Sequence, residues 1–252
     1  MGTILAIANQ KGGVGKTTTA INLGAALGAL EKRVLLVDCD PQGNATRGLG
    51  AEASSPHLYQ VLGGSASAES AIKNSGFPNL DLLPTDRNLV GIEVEFVDQD
   101  DWQNRLKSAL SAVRKNYDVI LVDCPPSLGH LTVSALTAAD GLLVPLQAEY
   151  FALEGISELI STVGRVRGAL NPRLEISGVL LTMYDDRTNL SKEVADEIRR
   201  HFGGAVFDTV VPRNVRLAEA PSHGMPILQY DIRCRGAEAY LAVARELLRR
   251  AA

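Results

Sequence analysis

Residues 9–18 read Asn-Gln-Lys-Gly-Gly-Val-Gly-Lys-Thr-Thr and carry the strongest chemical signal in this sequence of 252 residues. Glycines let a backbone approach a ligand closely, and the amide groups at the start of a following helix can then converge on phosphate oxygens. Lys16 can place its charge on the β- and γ-phosphates, and the Thr17 hydroxyl can ligate Mg²⁺. A plain strand-to-helix turn would explain the glycines but not this lysine and threonine. The segment therefore predicts a phosphate-binding loop.

Asp123 follows the apolar residues 119–122 and could hold the metal of the same site. A carboxylate after four buried apolar residues lies at the carboxyl end of a strand, which is the edge of an open α/β sheet where ligands bind. There it can hold Mg²⁺ through the water shell of the ion. An aspartate that only caps a turn before Pro125 is the alternative, and the upstream phosphate loop favours the metal role.

Asp38 and Asp40 follow a second apolar run at residues 34–37. Because they lie two residues apart on an extended chain, their side chains share one face of it. Phosphoryl transfer depends on positioning and charge stabilisation more than on a strong base, so a carboxylate beside the phosphates is adequate for it. A turn-initiating pair before Pro41 is the alternative, but that interpretation leaves the placement of both acids at this edge to coincidence.

The elements that must position these residues alternate between strands and helices. Continuous apolar runs, typical of parallel strands covered on both faces, lie at residues 4–8, 34–37, 119–122, 142–146 and 176–181. Helical spacing of apolar residues is found at 16–30, 102–115, 153–166, 191–202 and 237–249. This alternation predicts the α/β fold class, with a single doubly wound, mainly parallel β-sheet flanked by helices.

Residues 48–101 are less regular than the rest and are interrupted by turn residues at 63–65 and 75–78. We expect peripheral helices and one strand at residues 80–83 in this region, without a second core. Neither an internal repeat nor a long linker is present in the sequence. The expectation is therefore a single domain that comprises residues 1–252.

The composition limits the class of protein. Apolar residues make up 46% of the chain and aromatic residues 5%, which excludes a disordered chain. Cys39, Cys124 and Cys234 are odd in number and far apart, so we expect neither a disulfide framework nor a zinc site. No run reaches the ~18 apolar residues of a membrane span, and the N-terminus lacks the basic region of a secretory signal. These features predict a cytoplasmic location.

The net charge of −4 argues against a generally basic protein that coats DNA. The charge is uneven, however, since residues 1–150 hold 11 basic and 16 acidic residues and residues 151–252 hold 14 and 13. Every basic residue of the second part except Lys192 is an arginine. A local basic face is therefore compatible with an acidic protein.

The phosphate loop departs from the standard form, because Gln10 stands where that form has glycine and Lys11 precedes Gly12. This Lys-Gly-Gly-x-Gly-Lys-Thr pattern resembles the deviant Walker A P-loop ATPases. The string Asp-x-Asp-Pro-Gln-Gly-Asn at residues 38–44 closely matches the ParA/Soj branch of that group. The resemblance covers nearly the whole chain, with further matching segments at residues 147–155, 181–189 and 211–224.

The resemblance implies ATP and Mg²⁺ as cofactors and a role for each matching residue. Nucleotide contacts are implied in the loop for Lys11, Gly12, Gly13, Val14, Gly15, Lys16, Thr17 and Thr18, and near the adenine for Met183, Pro212 and Asn214. The magnesium environment is implied for Thr17, Asp38 and Asp123. Catalysis is implied for Lys16, for Asp40 with the attacking water, and for Lys11, which reaches the nucleotide of the other subunit in a dimer.

The resemblance also implies three partners: a second copy in an ATP-dependent homodimer, double-stranded DNA bound without sequence preference, and a ParB-like centromere-binding protein that speeds hydrolysis and releases the DNA. Arg187 and Arg216 match the arginines that bind DNA in this family. Each lies in what the sequence predicts to be a polar loop after a strand, and taken alone it could be an ordinary surface arginine. Met225 stands where relatives often have lysine, and Ser134 where they often have asparagine. A nucleoid-associated location follows from the implied DNA binding.

Three other functions are compatible with parts of the sequence. A MinD-like membrane ATPase would need a free basic amphipathic tail, whereas residues 237–252 follow the fold without a linker and predict a packed final helix. An iron–sulfur carrier would need paired cysteines at suitable spacing, which are absent. A metabolic P-loop kinase would need a pocket for an acceptor substrate, for which we find no signature, and it would not explain Lys11.

Overall fold

The computed structural model describes residues 2–96, 99–149 and 152–250. Within them one sheet holds the strands β1 Thr3–Ile7, β2 Val34–Asp38, β3 Lys73–Phe77, β4 Leu80–Leu83, β5 Val119–Asp123, β6 Gly141–Gln147 and β7 Glu175–Thr182. The strands lie in the order β3-β4-β2-β5-β1-β6-β7, and all neighbours are parallel except β3 and β4. The predicted mainly parallel, doubly wound sheet is thus confirmed.

Helices cover both faces of this sheet. Those in the described residues are α1 Lys16–Ala29, α2 Asn44–Gly48, α3 Leu58–Leu62, α4 Ala68–Ala71, α5 Val90–Glu95, α6 Arg105–Val113, α7 His130–Ala138, α8 Ala152–Ala169, α9 Asn189–Phe202, α10 Val215–Glu219, α11 Ile227–Tyr230 and α12 Arg235–Arg250. The helix predicted at residues 102–115 is shorter than expected, because 3₁₀ turns at Trp102–Asn104 and Arg114–Asn116 flank α6.

Two apolar cores lie on opposite faces of the sheet, because successive side chains of a strand point to opposite sides. Ile4 and Ala6 of β1 join the core that α6, α7 and α8 cover. Leu5 and Ile7 join the core beneath α1 and α12. Burial on both faces explains why these strands are continuous apolar runs without polar alternation.

The prediction for residues 48–101 was right about β4, which pairs with β2, and wrong about the break at 75–78. Much of that segment belongs to β3, which pairs antiparallel with β4 at the edge of the sheet. Half-exposed polar residues and Gly76, at φ 79°, make this strand resemble a turn in sequence. An edge strand tolerates both features, since only one of its sides is paired. That residues 1–252 act as one domain stays a prediction.

The last described helix, α12, packs against α1, as the sequence predicts for a packed final helix. Tyr240 is fully buried there, and its hydroxyl shares a hydrogen bond of 3.1 Å with the Thr19 hydroxyl of α1. None of the helices that the structure describes is long and apolar enough to cross a membrane. The helix that follows the phosphate loop is therefore held in place by residues more than 200 positions away along the chain.

Candidate nucleotide site and arginine face

The phosphate loop connects β1 to α1 and is tied to two other strand ends. Asn9 donates from Nδ2 to the Pro145 carbonyl oxygen at 2.8 Å and accepts from the Lys11 amide at 3.0 Å. Farther along, the Thr182 hydroxyl donates to the Val14 carbonyl oxygen at 2.8 Å. These contacts fix the loop from both sides, at the carboxyl ends of β6 and β7. Thr182 lies in the matching segment 181–189, but that segment does not predict its contact with the phosphate loop.

Glycines at two loop positions are required by the backbone. Gly13 and Gly15 have φ values of 75° and 86°, in the left-handed region that other residues rarely adopt. Gly15 is the N-cap of α1, and no side chain caps this helix end. The amide groups of its first turn therefore stay available to an anion. They border a phosphate cavity of about 350 Å³ lined by Gly12, Gly13, Gly15, Lys16, Thr17, Thr18, Asp40, Gln42, Asn44 and Pro126.

Lys16 lies at the base of the phosphate cavity and is only 7% exposed. Its ammonium group donates to the Lys11 carbonyl oxygen at 3.1 Å. Burial lowers the pKa of Lys16, and the nearby negative charge of Asp123 opposes this effect. A phosphate in this cavity would supply further negative charge beside a poorly solvated cation, which favours its binding.

Asp123 lies at the end of β5 and is fully buried, and neither of its carboxylate oxygens has a hydrogen-bond partner among the described residues. Burial raises the pKa of Asp123 well above its ordinary value, and the charge of Asp38 raises it further. The nearby Thr17 hydroxyl lowers this pKa, although it does not form a well-aligned hydrogen bond with Asp123. A buried, unpartnered carboxylate beside a hydroxyl fits a hydrated Mg²⁺. No group of three or more acidic, histidine or cysteine side chains among the described residues could hold a metal alone. Phosphate oxygens would have to complete the metal site.

Asp38 pairs in register with Asp123 across β2 and β5, yet its surroundings differ. Its oxygens accept hydrogen bonds from Thr46 and from the Asp40 amide. Burial raises the pKa of Asp38 to about 6, and the hydrogen bonds from Thr46 oppose that rise. The metal role predicted for Asp38 stays a prediction, and its oxygens already have protein partners. Asp40 lines the phosphate cavity and accepts from the Gln42 amide at 2.9 Å, so it lies where a nucleophilic water could be oriented.

Lys11 lies beside the phosphate cavity and is engaged within the chain. Its ammonium group forms an ion pair of 2.8 Å with Glu149, and the two side chains are 36% and 47% exposed. Partial exposure means that this pair is weak and can exchange for another anion at small cost. Glu149 lies in the family-matching segment 147–155, but nothing in that sequence indicates its contact with Lys11.

A second cavity of about 340 Å³ adjoins the phosphate cavity and shares Gly13, Gly15 and Thr18 with it. Its lining includes the predicted adenine residues Met183, Pro212 and Asn214, which the structure thus brings together with the loop. Further lining residues to which the sequence assigned no role are Thr182, Val211, Leu217 and Tyr240. The lining is mostly apolar, as a site for a planar base requires. We call this the base cavity.

Arg187 and Arg216 lie outside these two cavities, on a surface that we call the arginine face. Arg187 follows β7 in a turn, as predicted, whereas Arg216 lies in the short helix α10 and not in a loop. Their side chains are 83% and 54% exposed. Both already contact acids. Asp185 accepts from Nε and Nη2 of Arg187 at 2.8 and 2.7 Å.

Arg216 is also paired, but with two acids. Glu219 accepts from Nη1 of Arg216 at 2.9 Å, and Asp231 lies 3.7 Å from its Nε. A cavity of about 690 Å³ borders this face and is lined by Arg187, Arg213 and Arg235 together with Asp185, Asp186 and Glu238 among others. The face therefore mixes both signs of charge, which the sequence spacing does not show.

Comparison with known proteins agrees with this geometry. A family model described as an AAA domain matches residues 2–176. The chain is 56% identical over 251 residues to the chromosome partitioning protein ParA of Caulobacter vibrioides, with 98% of this chain and 94% of that protein covered. It is 55% identical over 249 residues to the sporulation initiation inhibitor protein Soj of Bacillus subtilis, with 98% of each covered.

Solved structures share the fold over the same length. Cobyrinic acid a,c-diamide synthase from Mycobacterium smegmatis, with bound ADP and magnesium, has a TM-score of 0.87 and 37% identity over 99% of this chain and 95% of that one. The cell division ATPase MinD of Pyrococcus furiosus has a TM-score of 0.82 and 28% identity, with 99% of each chain covered. The MinD relative is thus more distant in sequence than ParA and Soj.

The sheet, the phosphate loop with its additional lysine, and the acidic strand ends define a P-loop ATPase of the deviant Walker A type. Within that class, the chain belongs to the ParA/Soj family of chromosome-partitioning ATPases. The family resemblance that the sequence motifs predict is therefore confirmed.

Proposed function

We propose that this chain, acting as a single ATPase domain, hydrolyses ATP with Mg²⁺ and uses the nucleotide to switch between a monomer and a DNA-binding dimer. The observation that carries the proposal is the junction of the base cavity and the phosphate cavity at Gly13, Gly15 and Thr18. A base and its phosphates need two such cavities of different polarity side by side. The solved relative with ADP and magnesium supports the same ligands here.

Each site residue then has a role in the proposed reaction. The amides of residues 12–18 and the ammonium group of Lys16 hold the phosphates, and Thr17 and Asp123 hold the metal, which neutralises charge on the phosphates when bound. Asp40 orients the attacking water. The residues proposed for the base are Met183, Pro212 and Asn214, which line the base cavity together.

In the proposed dimer, Lys11 contacts the nucleotide that is bound to the second subunit. Support comes from the position of Lys11 beside the phosphate cavity and from the weakness of its ion pair with Glu149. A triphosphate carries more negative charge than one carboxylate, so exchange of the partner is favourable. The dimer would bring two copies of the arginine face onto one DNA duplex.

Binding of DNA through Arg187 and Arg216 is supported by their exposure and by the donors that their ion pairs leave unused. The Asp185 carboxylate accepts from Nε and Nη2 of Arg187, which leaves the Nη1 donors of Arg187 unused by that carboxylate. Phosphate contacts of this kind carry no sequence information. We further propose that a ParB-like partner speeds hydrolysis and so releases the dimer, and that DNA binding keeps the protein on the nucleoid in the cytoplasm.

The test is size-exclusion chromatography of Asp40→Ala with and without Mg-ATP and DNA. We expect the variant to form a stable ATP-dependent dimer that elutes with DNA, because nucleotide binds while hydrolysis is slowed by about 100-fold or more. The wild-type protein without nucleotide should elute as a monomer. A variant that stays monomeric with ATP bound would overturn the role of Asp40, and wild-type protein that binds no ATP in calorimetry would overturn the proposed function.

A further inference from the structure

The carboxylate of Asp38 is fully buried at the end of β2, and protein groups use both of its oxygens. Its Oδ2 atom accepts from the Thr46 amide and from the Thr46 hydroxyl, each at 2.7 Å. Its Oδ1 atom accepts from the Asp40 amide at 3.3 Å. Asp123, its register partner on β5, is buried to the same extent and has no hydrogen-bond partner. The two aspartates therefore serve different purposes.

Thr46 is itself held from the other side. It is 2% exposed, and its hydroxyl oxygen accepts from the Thr85 amide at 3.1 Å. A hydroxyl can donate one hydrogen bond, and the Thr46 hydroxyl donates it to Asp38. The Thr85 amide therefore donates to a lone pair of the same oxygen. Thr46 thus links the end of β2 to the segment that follows β4. These three residues are nearly inaccessible to solvent, which strengthens the hydrogen bonds among them.

The turn that carries Asp40 runs between these anchors. The Gly43 amide donates to the Asp40 carbonyl oxygen at 2.8 Å, which closes the turn. Gly43 has a φ of 63°, and a Cβ atom there would lie 3.1 Å from the Thr85 carbonyl oxygen. The turn is therefore held between Asp38 on one side and Thr85 on the other. Any movement of Thr46 would alter both supports of this turn.

We propose that Thr46 is a positioning residue for ATP hydrolysis, which acts through Asp38 and Thr85 to hold Asp40 at the phosphate cavity. This inference rests on the proposed function, since it concerns the reaction assigned to that site. Asp38 is in this view part of the support and not a ligand of the metal. The Thr46 hydroxyl joins both anchors, so its removal should misplace Asp40 without removing any group that holds the phosphates.

The test compares Thr46→Val with Thr46→Ser in the full chain. The affinity for ATP is measured by calorimetry, and hydrolysis by single-turnover assays with excess protein. We expect Thr46→Val to keep its ATP affinity within about 3-fold of the wild type and to hydrolyse ATP about 10-fold to 100-fold more slowly, since small misplacements cost this much. Thr46→Ser, which restores the hydroxyl, should hydrolyse at nearly the wild-type rate.

Thr137→Val is the matched control, because Thr137 is also buried and its hydroxyl donates only to the Val133 carbonyl oxygen within α7. It should leave both affinity and rate unchanged. Wild-type hydrolysis by Thr46→Val would overturn the inference. A parallel loss of ATP affinity and rate would also overturn it, because Thr46 would then merely maintain the fold of the site.

Asp38→Asn keeps the inference testable if Thr46→Val does not fold. We expect this variant to bind ATP at the same Mg²⁺ concentration as the wild type and to hydrolyse it slowly. A requirement for more Mg²⁺ would show that Asp38 serves the metal and would overturn the inference. Absence of ATP hydrolysis by the wild-type protein would overturn the proposed function as well, whereas normal hydrolysis by the variants overturns this inference alone.

Discussion

The charged side chains differ in their surroundings between the arginine face and the edge of the sheet that carries Lys16 and Asp123, which we call the nucleotide edge. At the nucleotide edge, Asp123 and Lys16 are buried. Burial raises the pKa of Asp123 and lowers the pKa of Lys16, which favours the neutral form of each. On the arginine face, the exposed Arg187 is paired with the half-buried Asp185, and the hydrogen bond from Arg187 holds the pKa of Asp185 below its ordinary range. Among the described residues, the buried charges of the first region form no ion pair, whereas Arg187 and Asp185 in the second region form one.

This difference indicates how each region meets its ligand. A buried charge without a partner costs free energy in the absence of ligand, so a ligand of opposite charge is bound strongly and at one place. An exposed ion pair costs little and contributes little, so its arginine can share a phosphate with small change in free energy. We therefore expect all-or-none effects from substitutions at the edge and graded effects on the face.

The largest effect is expected from Lys16→Ala. Loss of a charge-assisted contact to the phosphates should weaken ATP binding by about 100-fold, and DNA binding that depends on ATP should disappear with it. Calorimetry with Mg-ATP measures the first effect. Lys115→Ala, which removes an exposed lysine far from the cavity, is the control. ATP binding by Lys16→Ala at wild-type affinity would contradict the contrast between edge and face.

A smaller effect is expected from the neutralisation of one aspartate in each region. Asp123→Asn should raise the free energy of unfolding of the ligand-free protein at pH 7 by about 2 kcal/mol, because it removes a buried charge that has no partner. Asp185→Asn should leave the stability nearly unchanged, since its partner Arg187 is largely exposed to solvent and the ion pair contributes little. Urea unfolding without nucleotide measures both. Added Mg-ATP should stabilise the wild type much more than Asp123→Asn.

The pH dependence of the stability difference between Asp123→Asn and the wild type tests whether the charge of Asp123 causes it. Because the pKa of Asp123 is higher in the folded state than in the unfolded chain, the folded protein binds more protons between the two values. The stability of the wild type therefore falls as the pH rises through that interval. The advantage of Asp123→Asn should be greatest at neutral pH and shrink as the pH falls toward the ordinary carboxyl range. An advantage that is independent of pH would show that the charge is not responsible.

The smallest effect is expected from Arg216→Glu on the arginine face. DNA binding by the ATP-bound dimer should weaken by about 10-fold at moderate salt, and its salt dependence should become less steep, because each subunit loses one phosphate contact. Dimerisation should be retained. Gel shifts at two salt concentrations measure the change. Arg199→Glu is the matched control, since Arg199 is also exposed and paired with an acid three residues away. Equal losses of DNA affinity in Arg216→Glu and Arg199→Glu would contradict a specific role of the arginine face in DNA binding.

The sequence was sufficient to predict the fold class and the phosphate loop because both depend on local patterns. Five of the strands are continuous apolar runs, and the loop residues of the candidate site are consecutive. The acidic strand ends could be placed because the carboxyl ends of parallel strands share one edge. The strand β3 escaped prediction because a polar edge strand has the composition of a turn.

The remainder of the site depends on contacts between distant positions. Glu149 meets Lys11 across 138 positions, and Thr85 meets Thr46 across 39. No spacing rule in one sequence connects such pairs. The different surroundings of Asp38 and Asp123 are equally invisible, since both follow four apolar residues. The acids that pair with Arg187 and Arg216 are near in sequence, but composition alone does not show which arginines they hold.

The contact between Thr19 and Tyr240 has a consequence for synthesis of the protein. A ribosome makes α1 early and α12 late, and the strands on either side of β1, which are β5 and β6, emerge only midway. A nascent chain thus displays the phosphate-loop sequence long before the support of that loop exists. We expect the chain to bind nucleotide only after residue 240 has left the ribosome, so that incomplete polypeptides do not sequester ATP.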